Sequence, residues 1–321
     1  MSTMNKIALE EHFLTPAMEE YWAPTVVHID QAIIGRVYAR LVDFGDSRLD
    51  AMDRAGIERS VLSLTCPGVQ REFDGAVARR RASEVNDALA REIGNRPGRY
   101  SGFAHLALQD PAAAGDELAR CVRDLGFCGA LINGHTNGEY LDDPKFYPFW
   151  ERAEEIGAPI YLHPADPLSS YPAIAGCDAL KRATWEWGGR DGFSCAACPF
   201  RRHLRSLSGS EADTGHLGEP LPYLLSRFDT MARTYGMKLK KRPSEYIREH
   251  MFVTTSGMFS AEPLACAMGA LGAGRVMFSV DYPYESADEA ATFIENVSLG
   301  EQERSAVCYG TAERLLGLGT R

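Results

Sequence analysis

Short apolar runs alternate with longer amphipathic stretches along most of the chain, and this alternation constrains the fold more than any other feature. KIALEEHF (6–13), RSVLSLT (59–65), YSGFAHLAL (100–108), CGALING (128–134), APIYLHP (158–164), MFVTTSG (251–257) and RVMFSVDYP (275–283) read as strands buried on both faces, as in a parallel sheet. Helical patterns lie between several of them, at 76–93, 111–125, 144–156, 261–271 and 286–297. Pro111 and Pro144 sit near helix starts, where a missing N–H costs little, and Gly126 and Gly157 sit just past helix ends. Repeated strand-then-helix units predict a parallel sheet with helices outside it, and 321 residues suit a closed (β/α)8 TIM barrel of the α/β class. A doubly wound open sheet is the alternative, but no G-x-G-x-x-G follows the first strand. With no internal repeat or low-complexity linker, residues 1–321 are expected to form one domain.

Charge narrows the function. A formal net charge of −10 and a pI near 5.4 argue against a nucleic-acid or anionic-membrane surface, since both want clustered Lys and Arg. MSTMNKIALEEHF has no basic stretch followed by a long apolar one, so neither a secretory signal nor a membrane span is expected, and the protein reads as cytoplasmic. The eight cysteines lie mostly singly inside apolar segments, which suits reduced, buried thiols.

Polar residues close several of the apolar runs. Residues two apart in a strand face the same way, so Glu10 and His12 are expected to point together into the barrel while Glu11 points out. His163 ends the fifth run and Asp281 ends the last, at the carboxyl ends where barrels place their chemistry. Taken singly, each has an ordinary explanation as a loop cap, a carbonyl partner or a turn residue. Three strands ending alike outweigh that explanation, and the mixed N/O set suits one Zn²⁺ or Mn²⁺ with a position left for water or substrate. GHLGEPLPYLLSRFD adds His216 as a general acid or base, Glu219 as a substrate-binding candidate, and Arg227, whose planar fork could hold a substrate carboxylate or pair with Asp229 at the surface.

At these residues the chain resembles the amidohydrolase-superfamily branch of metal-dependent aromatic-acid decarboxylases. The likeness runs through ALEEHF, DSRLDAMDRAGIERSVLSLTCPGVQ, ELARCVRDLGFCGALINGHTNGEYLDD, YLHPADP, GHLGE, KRPSEYIREHMFVTTSG and RVMFSVDYPYE. The resemblance implies a distorted barrel with one divalent metal held by Glu10, His12, His163 and Asp281. It implies His216 beside the metal, Arg227 and Tyr284 on the substrate side, and a homo-oligomer, often a dimer or tetramer. It also implies a small aromatic acid as substrate, chelated through an ortho-hydroxyl and a carboxylate, with Asp281 carrying a proton to the ring and His216 assisting.

One stretch departs from that text. Between WEWG and GHLGE, where the family has a helix and then the sixth strand, residues 189–215 carry unrelated sequence of the same length, including a C-x-x-C pair (Cys195, Cys198) and His203. Degenerate codons for this segment, read one base later, permit text of the family form. We read 189–215 as a compensated frameshift, with a base gained near Gly188 and Gly189 and one lost near Gly215; resequencing the gene tests this. The cysteine pair, with no second pair at finger spacing, is then an accident of frame rather than a zinc or redox site. Loss of the apolar sixth strand is expected to leave the barrel short of one wall. Three functions follow: a non-oxidative hydroxybenzoate decarboxylase, a metal-dependent lactone or ester hydrolase, and a disabled homologue.

Overall fold

The computed structural model describes residues 4–187 and 212–319. Its sheet has eight strands in sequential order: β1 (Lys6–Phe13), β2 (Ile57–Leu64), β3 (Tyr100–Ala104), β4 (Gly129–Asn133), β5 (Ile160–His163), β6 (Ala212–Thr214), β7 (Met251–Thr254) and β8 (Val276–Met277). Every neighbouring pair is parallel. A parallel bridge between Leu9 and Ser279, with the His12 N–H donating to the Tyr282 carbonyl at 2.7 Å, brings the last strand back to the first and closes the ring.

All seven expected strands form, several shortened to the residues that pair. The missing wall is corrected: residues 212–214 pair with β5 on one side and β7 on the other, so the sixth position is filled. Three ladder residues suffice there because backbone hydrogen bonds, unlike side-chain packing, do not depend on residue type. The rest of the segment read as frameshifted, Cys195, Cys198 and His203 included, lies outside the described residues.

The five expected helices also form, at Gly75–Asn95, Pro111–Asp124, Tyr147–Ile156, Ala261–Leu271 and Ala287–Asn296. Asp74 and Asp110 cap two of them by accepting from backbone N–H groups, and Gly157 ends a third in the left-handed conformation. No described helix is long and apolar enough to cross a membrane.

The strands divide the core into two apolar bodies. Phe13, Leu62, Ile132, Leu162, Val253 and Phe278 belong to the outer one, packed under the helices. Ile7, Leu9, Val61, Phe103, Leu131, Tyr161, Phe252 and Met277 form the inner one, plugged at the bottom by Ala312 and Leu316 from the C-terminal helix. Two residues further along six of these strands stand Ser63, His105, Asn133, His163, Thr254 and Ser279, all buried and all polar. The barrel therefore has an apolar floor and a polar upper layer at its carboxyl end.

His105 in that layer carries a stability prediction. Its Nε2 accepts from the Val69 N–H at 2.9 Å, and burial pushes its pKa down from 6.5 to about 3. A depressed histidine stabilises the fold above its unfolded pKa, and the contribution is lost as pH falls from 6.5 toward 3. Urea unfolding across that window is expected to show His105→Gln losing less stability with acid than wild type, by up to about 1.4 kcal/mol per pH unit. Parallel profiles for the two proteins would show that His105 takes up its proton at the same pH folded and unfolded, against a burial effect on it.

Candidate metal centre

The site begins with an irregularity in β1. Ala8 pairs with Ser60 and Glu11 with Leu62, so Leu9 and Glu10 together oppose Val61. This extra residue is a β-bulge, and Glu10 sits in it at φ 57°. Ile7 and Leu9 already face the barrel interior, so an unbroken strand would have turned Glu11 inward and Glu10 out. The bulge resets the parity. Glu10 then joins His12 inside, and Glu11 accepts instead from the Val280 N–H at 3.0 Å.

Glu10 is wholly buried, and one carboxylate oxygen, Oε2, accepts from the hydroxyls of Tyr161, Ser256 and Thr254. Gly215 makes room for that carboxylate: a Cβ there would lie 2.6 Å from Oε2. The other oxygen, Oε1, has no hydrogen-bond partner and lies 3.3 Å from His163 Nε2 and 3.6 Å from His216 Nε2. Burial raises the Glu10 pKa, against the opposing pull of His216.

His163 fixes the chemistry of the gap. Its Nδ1 lies 2.6 Å from the Pro164 carbonyl, which can only accept, so Nδ1 carries the proton and Nε2 presents a lone pair. Burial, reinforced by His12, holds the ring well below the ordinary histidine range, so it is neutral. An imidazole lone pair thus faces a carboxylate oxygen at 3.3 Å, an arrangement that repels unless a cation lies between them. At the other edge Asp281 Oδ1, also without a hydrogen-bond partner, lies 3.2 Å from His12 Nε2. His12 Nδ1 meets Ser63 Oγ at 3.2 Å.

One ligand atom from each of Glu10, His12, His163 and Asp281 lies within 4.8 Å of the others. Two nitrogens and two carboxylate oxygens around a common point fit a divalent transition ion. The four residues read from the sequence as ligands lie together here. Glu10, His216 and Asp281 (φ 77°) share positive φ, as do Leu217 and Glu219, so five of the seven described non-glycine residues in that conformation lie in or beside the cluster.

His216 follows β6 and is buried beside the cluster, with Nε2 4.0 Å from Asp281 Oδ2 and Nδ1 3.0 Å from Glu219 Oε1. Burial would lower its pKa, but Glu10, Asp281 and Glu219 together raise it well above the usual value. Burial likewise works to raise Asp281, yet the neighbouring His12 and His216 rings hold it below the carboxylate range. Glu219 therefore meets His216 and is not on the cavity wall. Arg227 is exposed on the helix Leu221–Thr234, where Leu221, Pro222, Leu225 and Ala232 are the buried positions, and does not line its own chain's cavity.

A cavity of about 290 Å³ opens above the cluster. His12, His163, Asp281 and Tyr284 stand at its polar side, Ile29, Ile33, Ile34 and Val37 form an apolar wall, and Arg182 and Trp187 lie at another edge. Sequence reasoning missed this wall and Arg182, because they come from segments without a strand-end signal. It also missed Ser63, Thr254 and Ser256, whose polar side chains in apolar strands were the available clue.

An amidohydrolase family model matches residues 12–318. The gamma-resorcylate decarboxylase of Rhizobium sp. strain MTP-10005 is 38% identical over 330 residues, covering 98% of each chain. The crystal structure of a 2,6-dihydroxybenzoate decarboxylase complexed with 2,6-dihydroxybenzoate matches with a TM-score of 0.90 at 36% identity, covering 98% of this chain and 99% of that one. A dihydroxybenzoic acid decarboxylase from Polaromonas sp. JS666, solved with bound manganese and the inhibitor 2-nitroresorcinol, gives a TM-score of 0.90 at 35% identity, covering 99% and 98%. A bulged first strand, a four-ligand mouth and a match from residue 12 to residue 318 agree: the chain belongs to the amidohydrolase family.

Proposed function

We propose that this chain is a single-domain, metal-dependent, non-oxidative decarboxylase of an ortho-hydroxylated benzoate. The observation that carries the reading is the convergence of Glu10, His12, His163 and Asp281 at the floor of a cavity sized for one aromatic ring. The manganese and the 2,6-dihydroxybenzoate in related structures support the same choice of ion and substrate, with Zn²⁺ as the other candidate ion.

In this reading the four side chains hold the ion. When bound, a divalent ion supplies Lewis acidity to a chelating hydroxyl and carboxylate. The chain supplies the rest. Ile29, Ile33, Ile34 and Val37 confine the ring and exclude water, and Tyr284, also on the cavity lining, offers a hydroxyl. Asp281 carries a proton to the ring carbon that bears the carboxylate. As the C–C bond breaks, its electron pair flows back into the ring, CO₂ departs, and the carbon that took the proton is left as an aromatic C–H. His216, 4.0 Å from Asp281 and steadied by Glu219, reloads the proton. Glu219 thus acts through His216, and the exposed Arg227 has no substrate role within its own chain.

A cytoplasmic setting belongs to this reading, supported by the absence of any disulfide among the described cysteines. So does assembly into two or four copies, supported by the exposed Tyr223, Met231, Tyr235 and Met237 on and after one helix.

Purified protein given 2,6-dihydroxybenzoate is expected to release CO₂, to stop when chelated, and to recover with Mn²⁺. Mn²⁺ at a hundred times its Kd should add about 2.7 kcal/mol of stability to the metal-free protein, read as a rise in Tm. Stoichiometric metal with no CO₂ from any ortho-hydroxybenzoate, or turnover of lactones instead, would sink the reading.

A further inference from the structure

Tyr284 is held in a way the reaction scheme leaves unexplained. Its hydroxyl receives the Trp22 indole N–H at 2.9 Å and lies 2.7 Å from Thr65 Oγ1. Trp22, from the short helix Glu19–Trp22, is 4% exposed, and Thr65, just past the end of β2, is 2% exposed. Tyr284 as a whole is 38% exposed, but its hydroxyl is turned inward between these two residues. Its ring meets the His12 ring edge to face at 5.8 Å, and Thr65 and Tyr284 both line the cavity.

Counting protons shows what this arrangement does. An indole N–H can only donate, so one lone pair of the Tyr284 oxygen is occupied. Tyr284 and Thr65 hold two hydroxyl protons between them, and the contact between them uses one. If Tyr284 donates to Thr65, the Thr65 proton is left over; if Thr65 donates to Tyr284, the phenol proton is left over. Either way one donor remains for a cavity ligand. An anionic ligand oxygen on the Tyr284 side selects the second state, in which Trp22 and Thr65 both donate to the phenol oxygen and its own proton points at the ligand.

We infer that Trp22 and Thr65 are positioning residues that aim the Tyr284 O–H at an anionic oxygen of the bound hydroxybenzoate. The substrate class rests on the decarboxylase reading; the aiming rests on the hydrogen bonds alone.

The test uses the Mn²⁺-loaded full chain and two readouts: kcat and KM with 2,6-dihydroxybenzoate, and the Kd of 2-nitroresorcinol by visible titration. Metal content and Tm accompany every variant. Tyr284→Phe and Thr65→Val are each expected to lower kcat/KM about tenfold, and to weaken 2-nitroresorcinol binding in parallel. Thr65→Val combined with Tyr284→Phe should be no worse than Tyr284→Phe alone, because both remove one shared interaction. Thr65→Ser should restore wild-type behaviour, and Trp22→Phe should cost about threefold to tenfold, but nothing further once Tyr284→Phe is present. Losses that multiply in the double variants, or a Thr65→Ser protein as impaired as Thr65→Val, would overturn the inference. If the wild type releases no CO₂, the decarboxylase reading fails, and the same cycle read in Kd alone still decides the role of Trp22 and Thr65.

Discussion

Asp281→Asn is expected to lower kcat by about a thousandfold even with Mn²⁺ saturating, within the range that loss of a general acid gives. The amide keeps the shape of the carboxylate and one oxygen able to ligate, but it cannot carry a proton to carbon. Its neighbours make the change sharper: Asp281 Oδ1 lies 3.2 Å from His12 Nε2 and Oδ2 lies 4.0 Å from His216 Nε2, so both edges of the carboxylate are in use. Glu10→Gln is the control. Glu10 lies farther from the cavity, fully buried and tied by Tyr161, Ser256 and Thr254, so its loss should weaken metal affinity more than the chemical step. Added Mn²⁺ should therefore recover much of the Glu10→Gln rate and little of the Asp281→Asn rate. If Asp281→Asn returns to within about tenfold of wild type at saturating metal, Asp281 is a ligand only, and the proton comes from His216.

How much of this could be read from the amino-acid text depended on the range of the interaction involved. Strands whose faces are both buried announce themselves as continuous apolar runs, so all seven visible runs became barrel strands. The sixth did not, because ADT at 212–214 is held by its backbone pairing to β5 and β7 and carries no apolar signature. Glu10 and His12 were legible as a pair, but for an incomplete reason. Alternation counted from Ile7 and Leu9 puts Glu11 inside, and only the bulge, a feature of the pairing register, turns Glu10 inward. His163 and Asp281 closed apolar runs and were plain. Trp22 and Arg182 were not, since each reaches the site from a short helix whose path depends on the finished barrel, and Thr65, which closes the run 59–65 in the same way, was passed over. Arg227 was legible as a residue type able to grip a carboxylate, yet its helix phase turns it to the surface.

Arg48 was invisible in the sequence for the same reason, and its removal is the second large effect expected. It is one of two arginines in a surface-like stretch, DSRLDAMDRA, yet it is 1% exposed. Its Nε donates to the Asp43 carbonyl at 2.9 Å, and its Nη2 to the His12 carbonyl at 2.7 Å and the Arg40 carbonyl at 3.2 Å. The guanidinium also lies 4.7 Å from the centre of the Tyr282 ring. One side chain therefore ties the backbone of a candidate metal ligand to the residue that follows Asp281. Arg48→Met keeps much of the stem's volume but strips buried carbonyls of their donor, which should cost about 3–5 kcal/mol, as breaking a buried charged network does. Arg48→Lys can satisfy one or two of the carbonyls but cannot fork or stack, so its loss should fall between Met and wild type. Because the His12 carbonyl is one of the three, Arg48→Met should also weaken Mn²⁺ binding, so the variant's Tm should rise less than wild type's at any fixed Mn²⁺ below saturation. Urea unfolding of the metal-free proteins separates the two effects. If Arg48→Met unfolds within about 1 kcal/mol of wild type, the carbonyls find water instead, and the guanidinium is not what holds β1 to the loop after β8.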